Sequence, residues 1–133
     1  MNKETVLNYL LSILEGAAEY LPIMLTELKD ILSRSGYEQK FGAQLFARLN
    51  MLRALGTDVI KAKEFERIDD TIYSMHCAGT AYNIRILFAF TENGLPLLLL
   101  AFFERGGKRK TDYTQYIPAA YTRLEEYNET HRQ

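Results

Sequence analysis

The chain has 133 residues, of which 47% are hydrophobic and 25% are charged, and its formal net charge is −1. These values are typical of a single globular domain and exclude a disordered or fibrous chain. The chain also lacks the overall excess of basic residues that most nucleic-acid-binding domains carry.

Three amphipathic patterns predict helices within residues 1–60. Apolar side chains recur at helical spacing in residues 5–14, in "LPIMLTELKDILSRSG" and in "EQKFGAQLFARLNMLRALG". Pro22 near the start of the second pattern and Gly36 at its end are typical helix boundary residues, and Gly56 is expected to end the third. The stretch that follows, "TDVIKAKEFERIDD", has a mixed pattern.

Strand patterns replace the helical ones after Asp70. Residues 71–78, 81–91 and 95–103 are rich in β-branched, aromatic and leucine side chains, and "TENG" between the last two is a hairpin turn signal. We therefore expect a three-strand antiparallel meander over residues 71–103.

A helical pattern returns in residues 113–127. The order of elements predicts a single α+β domain over residues 1–133, with the helices packed on one side of a small sheet.

Several kinds of site have no support in this sequence. It contains no GxxxxGK[ST], HExxH or GxSxG motif, so nucleotide hydrolysis, zinc proteolysis and α/β-hydrolase chemistry are not indicated. Cys77 is the single cysteine and there are only two histidines, which excludes an internal disulfide and leaves too few ligands for a zinc site. Neither a signal peptide nor an apolar run of about 18 residues is present. We expect a soluble, cytoplasmic protein with no metal, cofactor or membrane partner.

Two polar side chains stand out in the predicted sheet. Arg85 is the only charged residue in "AYNIRILFAF", and strand alternation places it on the same face as Asn83 and Leu87. An arginine there needs a partner, which could be a ligand or a nearby carboxylate. His76 on the preceding strand could lie opposite Arg85. A lone histidine is more often structural than catalytic.

The segment "ERGGKRKTDY" holds most of the local positive charge. Residues 101–123 carry five basic and two acidic side chains, an excess of +3. The Lys108, Arg109 and Lys110 run after two glycines could be a solvated turn or could hold phosphates. Cations beside a histidine and a tyrosine are suited to RNA, because the cations bind phosphate while the other two groups move protons.

Four stretches in the second half resemble the RelE/ParE toxin superfamily, in particular its HigB-like, phage-derived branch. The matching stretches are "IYSMH" (72–76), "NIRILFAF" (83–90), "LLLLAFFERGGKRKTDY" (97–113) and "YIPAAYTRLEEY" (116–127). Their order and spacing carry the resemblance, which covers about residues 60–127. Family members usually open with a strand that pairs into the sheet, whereas residues 1–20 here have a helical pattern.

The resemblance implies a RelE-like fold and the toxin of a type II toxin–antitoxin system. Such a toxin cleaves mRNA on the ribosome without a metal or cofactor, by attack of a 2′-OH on the adjacent phosphate, and is neutralised by a cognate antitoxin that is often a helix-turn-helix protein. The implied catalytic residues are His76, Arg85, Arg109 and Tyr113, and the implied RNA-binding residues are Lys108, Lys110, Arg105 and Tyr116.

Two alternatives remain open from the sequence. One is a non-catalytic member of the superfamily, either a ParE-like binder of a protein target or a decayed toxin that acts as an interaction module. The other is a helical scaffold with a hairpin and no site.

Overall fold

The computed structural model describes residues 1–105 and 111–131. The helices are α1 (Lys3–Leu14), α2 (Pro22–Leu32), α3 (Glu38–Leu55) and α4 (Ile117–Thr130), and a 3-10 helix (Gly56–Lys61) follows α3. The strands are β1 (Glu19–Tyr20), β2 (Phe65–Arg67), β3 (Tyr73–Ala78), β4 (Asn83–Phe90) and β5 (Pro96–Phe103). The predicted α+β class is confirmed.

Local sequence signals explain the ends of the first helices. The Asn2 side chain accepts a hydrogen bond from the Thr5 N–H and caps α1. Pro22 is the first residue of α2, where its missing N–H costs no hydrogen bond. Gly56 follows α3 with a φ of 55°, a conformation that favours glycine. The second helix ends at Leu32, earlier than Gly36 suggested.

The five strands form one mixed sheet in the order β1-β5-β4-β3-β2. Strands β2 to β5 pair antiparallel, so the predicted meander is confirmed, and β1 pairs parallel with the start of β5. The sequence had shown neither β1 nor β2. They have two and three residues, which is too short for an alternating pattern to emerge. The expectation that residues 1–20 are helical therefore holds for α1 but not for β1, which lies at the sheet edge.

Helices cover both faces of the sheet, so the prediction of helices on one side was wrong. One core cluster joins α1, α2 and α3 to the side chains of Ile84, Ile86 and Phe88. A second cluster joins α4 to Leu87, Leu99 and other residues of the opposite face. The reason lies in β5, whose first seven residues are all buried. A strand that is apolar on both faces needs cover on both.

The start of α4 also differs from the prediction. The helix begins at Ile117 rather than at Tyr113, and Pro118 lies in its first turn. Ahead of it, the Asp112 carboxylate accepts hydrogen bonds from the N–H and the hydroxyl of Thr114, which stabilises a turn instead of a helix. Tyr113 is thereby left outside α4, where its side chain turns toward the sheet.

Candidate active site

Arg85 lies at the centre of a polar cluster on the α4 side of the sheet. Its Nε donates a hydrogen bond to Glu104 Oε2 over 3.0 Å, and its Nη1 donates to the Tyr113 hydroxyl over 3.2 Å. The Arg85 and Glu104 side chains are only 15% and 13% exposed. Glu104 follows directly after β5, the neighbour of β4, so the antiparallel pairing brings these two residues together. The partner that the strand arginine required is therefore a carboxylate of the chain itself.

His76 and Arg85 are directly paired across the β3–β4 ladder, as the sequence predicted. The His76 Nε2 is hydrogen-bonded to Asn83 Oδ1, and the Asn83 amide also donates to Glu104 Oε1 over 3.4 Å. The imidazole is thus connected to the carboxylate through Asn83. On the other side of the strand, Arg48 Nε donates to the His76 backbone carbonyl over 3.1 Å, which ties this position to α3.

Tyr113 closes the cluster from the segment that precedes α4. Its hydroxyl accepts from Arg85 and lies 3.1 Å from Ser74 Oγ and 3.2 Å from Glu66 Oε2. The Arg85 Cζ atom is 5.9 Å from the centre of the Tyr113 ring, within reach of a cation–π contact. Three strands and the segment before α4 therefore converge on one hydroxyl group.

Two groups of the cluster have shifted pKa values. Burial by itself raises the pKa of the Glu104 carboxyl, but a hydrogen bond from Thr111 and the charge of Arg85 outweigh burial and lower it overall. Burial is the largest cause that raises the pKa of Tyr113; the carboxylate of Glu66 adds to it, while Ser74 and Arg85 oppose it. At neutral pH the cluster thus contains an ionised Glu104 and a protonated Tyr113.

This arrangement has the parts needed for proton transfer beside a charged substrate. Glu104, Glu66 and His76 offer acceptors, Tyr113 offers a proton, and Arg85 offers a delocalised cation. The cluster holds one guanidinium, Arg85, and two carboxylates, Glu104 and Glu66, so it does not itself form a strongly positive surface. The two glutamates distinguish it from a simple phosphate-binding patch.

The other predicted residues are placed differently. Tyr116 stacks on Phe102 with ring centroids 3.8 Å apart, so its ring helps hold the start of α4 on the sheet. Arg105 is exposed and lines a cleft of about 240 Å³ together with Glu104, Thr111 and Tyr116. The predicted residues Lys108, Arg109 and Lys110 lie outside the described residues.

The sequence indicated that a carboxylate could pair with Arg85 but did not identify which one. Glu104 was visible only as one acid beside a basic run, and Glu66 lay in a stretch without a clear pattern. Ser74, which is 1% exposed, also had no signal. The one available clue was Arg85 itself, because a cation in an apolar strand needs a buried counter-charge.

Other chemistries find little in the described residues. Burial raises the pKa of the Cys77 thiol to about 12, so this cysteine stays protonated and is not a nucleophile. Within residues 1–105 and 111–131, no group of three or more His, Cys, Asp or Glu could hold a metal ion. In the same ranges, no helix has both the length and the apolar character to cross a bilayer.

No family model matches the chain, and neither the curated proteins nor the solved structures contain a significant match.

Proposed function

We propose that the protein is the toxin of a type II toxin–antitoxin system and cleaves mRNA on the ribosome without a metal. The supporting observation is the cluster around Arg85, which brings His76 and Tyr113, both identified as candidates from the sequence, together with the partly buried carboxylate of Glu104. The resemblance to RelE/ParE toxins points to the same reaction. The proposed partners are mRNA, the ribosome and a cognate antitoxin of the helix-turn-helix type.

In the proposed reaction the 2′-OH of a nucleotide attacks the adjacent phosphorus. A basic group, either His76 or a glutamate, takes the 2′-OH proton as the new P–O bond forms. The P–O5′ bond then breaks, and the leaving 5′ oxygen takes a proton from Tyr113. The products are a 2′,3′-cyclic phosphate and a 5′-OH, and Arg85 stabilises the negative charge that builds on the phosphoryl oxygens.

The Arg85–Glu104 pair sets a condition on this reaction. Since Arg85 is already bonded to Glu104 and Tyr113, an RNA phosphate must share the guanidinium or replace one of these partners. A guanidinium has five N–H donors, so it can hold a carboxylate through Nε and a phosphate through its remaining groups. Lys108, Arg109 and Arg105 are proposed to supply additional attraction for the phosphates.

The same pair favours a second candidate function, a non-catalytic module that binds a protein target. An arginine whose charge is neutralised by a partly buried glutamate can be purely structural, and the described part of the cluster has no surplus of positive charge. In this alternative the polar cluster fixes the segment before α4 onto the sheet, and the exposed surface is the functional part.

Arg123 provides a matched control for the test. Like Arg85, it is 15% exposed and paired with a glutamate, Glu27, but it lies in α4 outside the cluster. We would express wild type, Arg85→Ala and Arg123→Ala and map mRNA ends on translating ribosomes. Wild type and Arg123→Ala should cut the message and arrest growth, whereas Arg85→Ala should do neither.

Equal cleavage by all three proteins would show that Arg85 has no role in the reaction. If wild type leaves the message intact but still binds a protein partner, the non-catalytic function replaces the enzyme. Both variants should first be shown to be folded by circular dichroism.

A further inference from the structure

A cleft of about 740 Å³ lies between the segment that carries β1 and the C-terminal half of α4. Its lining includes two tyrosines, Tyr20 and Tyr127, and a group of aliphatic residues that we call the apolar floor, namely Ala18, Leu21, Pro22 and Ile23. Ile23 is 51% exposed and extends the apolar surface to the edge of the cleft. A concave site of this size with an apolar floor can enclose a large side chain of a partner.

One wall of this cleft is held in place within the free protein. The Tyr127 hydroxyl donates a hydrogen bond to Glu19 Oε2, and the Tyr127 ring stacks on His131 with centroids 3.9 Å apart. The hydrogen bond to Glu19, together with burial, raises the pKa of Tyr127 to about 12, so its proton stays in place. A preformed wall lowers the ordering cost of binding.

The rim of the cleft is negative among the described residues. Glu19 and Glu126 line it. The one arginine in its lining, Arg123, is neutralised by both carboxylate oxygens of Glu27, at 2.8 and 2.9 Å. The last turn of α4 adds the negative end of its helix dipole. This rim attracts cationic groups and repels the phosphates of RNA and of anionic lipids.

A second cleft continues the negative surface on the other side of Tyr127. It has a volume of about 780 Å³ and shares Glu19 with the first cleft, while its lining adds Asp70 and Glu92. Asp70 is already paired with Arg67 over 3.2 Å, so Glu19 and Glu92 are the carboxylates of this cleft that are not held by an arginine among the described ion pairs.

We propose that the β1–α4 groove, formed by residues 18–23 and 123–131, docks a partner polypeptide through one large apolar side chain flanked by lysine or arginine. The apolar floor takes the side chain, and the carboxylates of the rim pair with its basic neighbours. This groove lies at the start of β5, where β1 pairs, whereas Glu104 follows the end of that strand. The inference does not depend on RNA cleavage.

Three synthetic peptides can test this proposal. Each has 14 residues and the same central leucine in a helical sequence, and the leucine is flanked by lysines, by glutamines or by glutamates. Binding to the full chain is measured by NMR titration at low salt. The lysine peptide should bind at least about tenfold more tightly than the glutamate peptide, and the shifted resonances should belong to residues 18–23 and 123–131.

Exposed positions supply variants that leave the fold intact. Ile23→Ser should weaken the lysine peptide about tenfold by removing part of the apolar floor. Glu126→Lys should remove or invert the preference for lysine over glutamate. Phe103→Ser is the matched apolar control, because Phe103 is 43% exposed at the far end of β5, and Glu4→Lys is the matched charge control. Neither control should change binding.

The proposal would be overturned if the lysine peptide did not bind at millimolar concentration or if all three peptides bound equally. It would also be overturned if the shifted resonances lay outside the groove or if the variants behaved like their controls. Sedimentation distinguishes one more occupant: a dimer that Ile23→Ser dissociates would show that a second copy of this chain fills the groove.

Discussion

Replacing Arg85 with alanine should strongly destabilise the protein, because the change leaves Glu104 as a mostly buried carboxylate without its cation. Removing one member of a buried ion pair costs about 3–5 kcal/mol. The two side chains are 15% and 13% exposed, so solvent screens part of their interaction. We therefore expect the free energy of unfolding to fall by ~2–4 kcal/mol at pH 7.

Urea denaturation of four proteins measures this directly. They are wild type, Arg85→Ala, Glu104→Gln and the double variant. Because each single change leaves a partner unpaired, the double variant should be more stable than the sum of the two losses predicts, with a coupling of about 1–3 kcal/mol. Additive losses, or a loss below about 1 kcal/mol for Arg85→Ala, would refute the idea that this pair organises the cluster.

The remaining predictions concern pH, the tyrosines and one glycine. The pKa of Glu104 is lowered below its ordinary value of 4.5. The ion pair with Arg85 therefore stabilises the fold fully above pH 4.5, and this stabilisation is lost as the pH falls through the lowered pKa of Glu104. The loss of unfolding free energy caused by Arg85→Ala, measured by denaturation at a series of pH values, should accordingly become smaller on acidification. A constant cost across that range would contradict this. Tyr113→Phe should lower RNA cleavage at least about a hundredfold, while Tyr116→Phe, which keeps the stacked ring, should leave the rate nearly unchanged; equal rates would remove Tyr113 as the proton donor. Gly79→Ala should lower the free energy of unfolding by about 1–3 kcal/mol, because the new Cβ would lie 2.7 Å from the ring of Tyr82. That ring is buried and stacked on Tyr37. A melting temperature equal to that of wild type would show that the Tyr82 ring can move aside.

Strand alternation made the centre of the site predictable. Eight residues of β4 suffice to show that Arg85 shares a face with Asn83, and the short connection between β3 and β4 places His76 opposite it. Both results depend on local periodicity and on a tight turn, which a single sequence displays well.

The partners of Arg85 were not predictable in the same way. Glu104 lies 19 residues away and Tyr113 lies 28 residues away along the chain, and the contact of Tyr113 with Glu66 spans 47 residues. Such contacts are set by how the sheet and α4 pack. No local sequence pattern indicates such contacts.

The prediction that the helices lie on one side of the sheet was wrong for a related reason. A helical pattern shows which side chains of a helix are buried but not which face of a sheet they cover. The run of buried side chains in β5 carried the missing information, since a strand buried on both sides implies a helix on each.

The chemical nature of the cleaved RNA ends distinguishes attack by the 2′-OH from hydrolysis by an activated water. Purified protein would be incubated with translating ribosomes after chelation of metals other than the magnesium that the ribosome needs, and the ends of the cut message would be identified by mass spectrometry. Attack by the 2′-OH should leave a 2′,3′-cyclic phosphate or its 3′-phosphate hydrolysis product together with a 5′-OH, formed by wild type and Arg123→Ala but not by Arg85→Ala. An uncut message, or ends with a 3′-OH and a 5′-phosphate, would contradict it.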